Sequence, residues 1–155
     1  TPNSYILNFK HTDSRGTDAP KGCHYKQILI NDEVVWEMDV ADDSTNWLNT
    51  TVDITEYCEG YSGITIELRL YEKKAVSNYA VDMRWDNVYI TNVDMDNCGF
   101  EATSSWVYDE NLAGFNGFYI ANPYTGVYGY KLLLPSNTPT SIGSYSSIYQ
   151  TCSIN

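Results

Sequence analysis

The run GITIELRLYE, residues 63–72, decides the fold class. Ile64, Ile66, Leu68 and Leu70 alternate with Thr65, Glu67, Arg69 and Tyr71. Side chains alternate across an extended chain, so this run has one apolar and one polar face. It reads as a half-buried β-strand. The same beat extends in both directions. In NYAVDMRW, residues 78–85, Val81, Met83 and Trp85 fall on one side and Asp82 and Arg84 on the other. In SYILNFKH, residues 4–11, Leu7 and Phe9 oppose Asn8 and Lys10. YKQILIND (25–32) and EVVWEMDV (33–40) read as two strands around a tight turn at Asn31-Asp32. NTTVDIT, FNGFYIANP, YGYKLLLP and SSIYQTCSI supply further strands, separated by Gly, Pro, Ser and Asn breakers. DITEYCEG has room for one helical turn, and no amphipathic helix is evident. About nine short strands with turn signals between them predict an all-β domain, a β-sandwich of the jelly-roll type, spanning 1–155.

Composition narrows the function classes. The net charge is −11, which argues against nucleic-acid binding, since phosphates need clustered Lys and Arg. No apolar run is long enough to cross a bilayer as a helix. The first residues do not read as a leader, so any export signal is expected to have been removed. The excess of 14 Tyr suits strands and offers flat faces with a polar handle. Cys23, Cys58, Cys98 and Cys152 form no C-x-x-C pair. Their even number suits one or two disulfides in an oxidising compartment, with the pairing open and buried free thiols as the ordinary alternative. Asn49-Thr50-Thr51 is an acceptor sequon for N-glycosylation. These features predict a secreted or cell-surface protein.

Two short motifs stand in an unexpected order. WDNVYI, residues 85–90, has the form of a closing strand, and Asn97-Cys98-Gly99-Phe100-Glu101 followed by Trp106 has the form of an opening. On these motifs the chain resembles the jelly-roll carbohydrate-binding modules of the galactose-binding-like type, which accompany secreted polysaccharide-degrading enzymes. Such modules commonly open on N-x-G-F-E and a nearby Trp, continue through strands like TGVYGYKLLL and SSIYQTCSI, and end on a D-D-V strand. Here residues 94–155 resemble the opening strands and 1–93 the later ones, including the hairpin ILINDEVVWEMDV and the NWLNTTVDIT and ITIELRL segments. Three origins fit the exchange: a circularly permuted domain, a cut from a tandem array, or halves that complete each other between neighbouring molecules.

The resemblance implies a structural calcium where opening motif and closing strand meet. Glu101 and Asp86 would be its carboxylates, with oxygens near Asn97 and from Thr125 and Gly126 filling the remaining positions. Asn87 stands where the usual pattern has a second Asp. For Trp85, Val88 and Ile90 all to face inward, the strand needs a bulge at Asp86-Asn87, and bulges re-aim side chains beside sites. The acidic runs DVADDS, with Asp39, Asp42 and Asp43, and VDMDN, with Asp94 and Asp96, read as solvated loop charge.

Alternation places Glu67, Arg69 and Tyr71 with Asp82 and Arg84 on one outward face, which is the expected glycan surface. Arg69 and Arg84 would bridge hydroxyls or pair with a uronic acid, Tyr71 or Tyr79 would stack on sugar rings, and Trp36 depends on hairpin register. The alternative is a ladder of Glu–Arg and Asp–Arg pairs facing water. Trp47 and Trp106 are expected at core edges. Only His11 and His24 are present, and no nucleophile elbow or phosphate loop occurs, so no enzyme is expected. The expectation is a non-catalytic, calcium-stabilised glycan-binding module. Its rival is a surface-layer or filament subunit that self-associates by strand exchange.

Overall fold

The computed structural model describes residues 3–121 and 123–155. Among them run eleven strands, β1 (Ile6–Asp13), β2 (His24–Ile30), β3 (Glu33–Asp39), β4 (Leu48–Asp53), β5 (Gly63–Glu72), β6 (Val81–Ile90), β7 (Val93–Asp94), β8 (Val107–Glu110), β9 (Asn116–Ile120), β10 (Gly129–Leu134) and β11 (Tyr145–Ile154). One short helix, α1 (Thr55–Cys58), fills the single helical turn expected there. The strands form two antiparallel sheets packed as a sandwich. The front sheet has five strands in the order β4-β1-β6-β10-β9, and the back sheet has six, in the order β3-β2-β5-β11-β7 with β8 on β11. Only β2–β3 and β9–β10 are hairpins between consecutive strands of one sheet; most other connections cross between sheets. The two strands beyond the nine expected, β7 and β8, are short pieces of polar connections whose pairing with β11 no local pattern announces.

The core lies where the alternating apolar residues of the two sheets meet. Leu7, Phe9, Met83, Trp85 and Leu132 face inward from the front sheet, and Ile28, Ile66, Leu68, Leu70 and Ile148 from the back, all at most 1% exposed. Burying each aliphatic side chain is worth about 1.5–3 kcal/mol. The β2–β3 hairpin turns at Asn31 (φ 49°) and Asp32 (φ 70°), left-handed positions that Asn and Asp tolerate. The bulge in β6 is present as well. Asn8 pairs with Tyr89 and Lys10 with Asp86, so Asn87 and Val88 together oppose Phe9, and Asn87 takes φ 48°. Val88 and Ile90 thereby point inward.

Three expectations fail at this level. Lys26 is fully buried, and its ammonium bonds Asp13 Oδ2 (3.1 Å), His11 Nδ1 (3.0 Å) and Asp43 Oδ2. Asp43 is therefore a core counter-charge and not loop charge. Asp39 is also buried and caps the turn after β3 by accepting from Ala41 N at 3.0 Å. The cysteines form no disulfide: Cys23, Cys58 and Cys152 are buried thiols and Cys98 a half-buried one, spread over a strand entry, α1, β11 and a turn. Burial carries the Cys58 thiol up to about 11 and Cys152 to about 12.

Asn3 and Asn155 lie together. Asn3 Nδ2 donates to the carbonyl of Asn155 (3.3 Å), and Asn155 N donates to Asn92 O (3.2 Å). The junction expected from the exchanged motif order falls on Thr1 and Pro2, which lie outside the described residues.

Candidate functional site: a carboxylate pair beside a groove on the front sheet

Asp86 is outward-facing on β6 yet fully buried, because residues 123–128 fold over it. Its Oδ2 accepts from Thr125 N (2.7 Å) and its Oδ1 from Asn87 N (2.7 Å). Glu101 reaches the same loop. Its carboxylate accepts from Val127 N (3.0 Å) and Tyr128 N (3.2 Å). The two acids thus clasp one loop from two separate segments of the chain. Burial pushes the Asp86 carboxyl up; the amides of Thr125, Asn87 and Tyr124 offset part of this, and the charge of Glu101 adds to it. Among the described residues no Lys, Arg or His reaches either carboxylate to ion-pair distance.

The opening motif is held in shape by backbone turns. Asn97 (φ 51°), Phe100 (φ 57°) and Ser105 (φ 77°) are all left-handed. Asn97 Nδ2 donates to the carbonyls of Ala102 (2.6 Å) and Ser104 (3.0 Å), and its own carbonyl accepts from Trp106 Nε1 (3.2 Å) and Phe100 N (3.0 Å). Asn97 therefore laces the loop that presents Glu101, and its carbonyl is already engaged. Thr125 Oγ1 donates to Asn87 Oδ1 (3.0 Å), which brings two more oxygens beside Asp86. Gly126 has φ +69°, and a Cβ there would strike the Glu101 carboxylate. A buried carboxylate with no cationic partner, beside a second carboxylate and neutral oxygens, is a donor set that a hard cation fits. Asp86, Glu101, Asn87 and Thr125 are the residues that would hold it.

A groove of about 380 Å³ opens beside this pair on the outer face of the front sheet, lined by Asn8, Lys10, Asn49, Asn87 and Tyr89. Lys10 pairs with Asp86 in register, but its ammonium sits over the Tyr124 ring at 4.5 Å, and Tyr124 meets Trp47 edge-on at 6.0 Å. Tyr89 (46%) and Tyr124 (47%) are exposed. Aromatic faces, three amides and one cation therefore converge on one strip. The sequence patterning had given Lys10 and Asn8 as outward but had not joined them to Trp47, Asn49 or Tyr124, because those residues meet only across strands and loops.

The residues expected on one glycan face are divided. Arg69 and Tyr71 lie on the outer face of the back sheet, and Asp82 and Arg84 on that of the front sheet. Alternation fixes which side of its own strand a residue faces but not which sheet the strand joins. Each arginine clasps the acid two residues earlier: Arg69 Nη2 to Glu67 (3.1 Å) and Arg84 Nε to Asp82 (2.8 Å). Trp36 faces inward and packs edge-on against Phe9 at 4.8 Å. Tyr79 stacks on His24 (4.8 Å, 11°) under Arg15 and lies on neither sheet face. Trp106 is 8% exposed and packs on Phe100. Both histidines are enclosed. His24 Nδ1 meets the buried Glu72 carboxylate at 2.7 Å, and burial raises that acid. His11 Nε2 meets Thr50 Oγ1 at 3.0 Å. Compared with known proteins, the chain matches no protein-family model and no curated protein.

Proposed function

We propose that the protein is a non-catalytic, extracellular carbohydrate-binding module whose front-sheet groove takes the glycan and whose Asp86–Glu101 pair takes a structural calcium ion. The observation that carries the reading is the strip formed by Trp47, Tyr124, Tyr89, Asn8, Asn49 and Lys10 beside two carboxylates that share one loop. Sugar rings stack on exposed aromatic faces, and amides and a lysine bridge hydroxyl pairs. Calcium would neutralise the buried Asp86 and fix the 123–128 loop, which carries Tyr124 against Lys10 at the edge of the groove.

The test has two arms. Calcium is expected to raise the Tm over that in chelator, and Asp86→Asn to abolish the rise. In affinity gels containing neutral polysaccharides, the native protein is expected to be retarded on at least one and Trp47→Ala to migrate freely. A Tm indifferent to calcium together with free migration on every gel would sink the reading. Polymers in light scattering would favour the filament subunit instead.

A further inference from the structure

The outer face of the back sheet carries a second, separate constellation. Cross-strand register builds it in rows. Tyr25, Tyr71 and Tyr145 form one row, Glu37, Gln27, Arg69, Ser147 and Asp109 the next, and Glu67 and Tyr149 belong to a third. Arg69 is the hub. Its Nε and Nη2 hold the Glu67 carboxylate at 3.1 Å, and its guanidinium lies 4.2 Å from the centre of the Tyr145 ring. Tyr145 in turn donates its hydroxyl to Asp109 Oδ2 at 3.2 Å. A groove of about 260 Å³ runs over Glu67, Arg69, Asp109 and Tyr145 and is bounded by Tyr149, Thr65 and Asp32 of the β2–β3 turn.

Two further observations point to a ligand. Ser147 is fully buried on β11 between Tyr145 and Tyr149, and by alternation its hydroxyl points to the groove side of the sheet, where it has no partner. Buried polar groups left unpaired are uncommon and mark places where a water or a ligand group belongs. The charge of the groove is one-sided. The only cation lining it, Arg69, is already held by Glu67, so Asp32 and Asp109 leave it net negative. Neutral sugars would leave those acids uncompensated, and anionic ones would be repelled.

We propose that this back-sheet groove binds a cationic amino sugar, a glucosamine-type residue of a deacetylated polymer. The sugar ring lies on the Tyr145 and Tyr149 faces, and its ammonium meets Asp109 and Asp32. A ring hydroxyl takes up the unpaired Ser147 group, directly or through water. This site stands apart from the front-sheet groove and does not depend on it.

Calorimetric titration with a glucosamine oligomer and with its N-acetylated counterpart tests the proposal, at about pH 5.5, above the ordinary carboxylate range near 4. The amine form is expected to bind and the acetylated form to bind about tenfold more weakly or not at all. Added salt is expected to weaken the first. Asp32→Asn with Asp109→Asn, both at exposed positions, is expected to cost about tenfold while circular dichroism stays native. Tyr149→Ala is expected to lose binding altogether. Equal binding of the two oligomers, an unchanged affinity in the double variant, or no binding of the amine form would overturn it. So would poly-lysine competing as well as the oligomer, which would make the face a general polycation surface. Retention on neutral-polysaccharide gels is read separately, so the loss of one binding without the other tells the two faces apart.

Discussion

Asp86 shows how one residue couples proton, metal and loop. Its folded pKa is raised by burial, so the folded state favours the protonated form more than the unfolded chain does. A raised acid contributes stability that is fully present below its unfolded pKa and is lost as pH rises through the folded one. Calcium reverses that preference by stabilising the carboxylate, so its binding must expel the proton. Calcium affinity, measured by titration across acidic pH, is therefore expected to fall about tenfold per pH unit below the raised pKa. An affinity that stays flat there would mean that Asp86 is not a ligand. Gly126 gives a second test at this scale. Its φ of +69° and the position its Cβ would occupy against Glu101 both oppose a side chain. Gly126→Ala is expected to cost about 1–2 kcal/mol from backbone strain alone. It also pushes the Glu101 carboxylate off the Val127 and Tyr128 amides, so the calcium-induced rise in Tm should shrink with it.

Within a strand the sequence was legible, and across strands it was not. Phase gave the inward set of β5 and β6 and required a bulge, expected at Asp86-Asn87 and found one residue on at Asn87-Val88, because only an extra residue lets Trp85 and Val88 share a face. The same phase, carried through YKQILI, puts Lys26 in line with Ile28 and Ile30, so its burial was implied but hidden by its charge. The partners that make this tolerable, Asp13 and Asp43, come from the end of β1 and from the loop before β4, and no local pattern brings them there. For the same reason Arg69 and Arg84 shared a polar face on paper but lie on opposite sheets. The Lys26 cluster predicts a large effect. Lys26→Met fills similar volume but leaves two buried carboxylates without their cation, at a cost of about 3–5 kcal/mol. Urea unfolding reads this directly, and a loss under about 1 kcal/mol would mean that water already reaches the cluster.

On the scale of the whole molecule, the sandwich is held by which strands are neighbours across the two sheets. β11 lies between β5 and β7, and Glu101 meets the loop over Asp86. The sum of buried groups then sets how the domain responds to acid. His11 lies inside, beside the Lys26 ammonium; burial and then that charge depress its pKa from 6.5 to about 3. A depressed group contributes stability present above its unfolded pKa and lost as pH falls toward the folded one, because the unfolded chain takes up a proton that the folded chain refuses. Between about pH 6 and pH 4 this amounts to about 1.4 kcal/mol per pH unit. Glu72 and Asp86, both raised, act in the opposite sense as acid is added, so the net slope is smaller than His11 alone would give. Two measurements separate the contributions. The His11 ring resonances are expected to stay those of neutral imidazole down to about pH 4, while urea midpoints decline over the same range. In His11→Asn the stability is lower throughout, but the decline between about pH 6 and pH 5 is expected to shrink, since the unfolded chain then lacks the proton that His11 takes up. An imidazole that protonates near its ordinary value would show that the interior around β1 and β2 is open to water, and the Lys26 cluster would then lose its account as a sealed charge network.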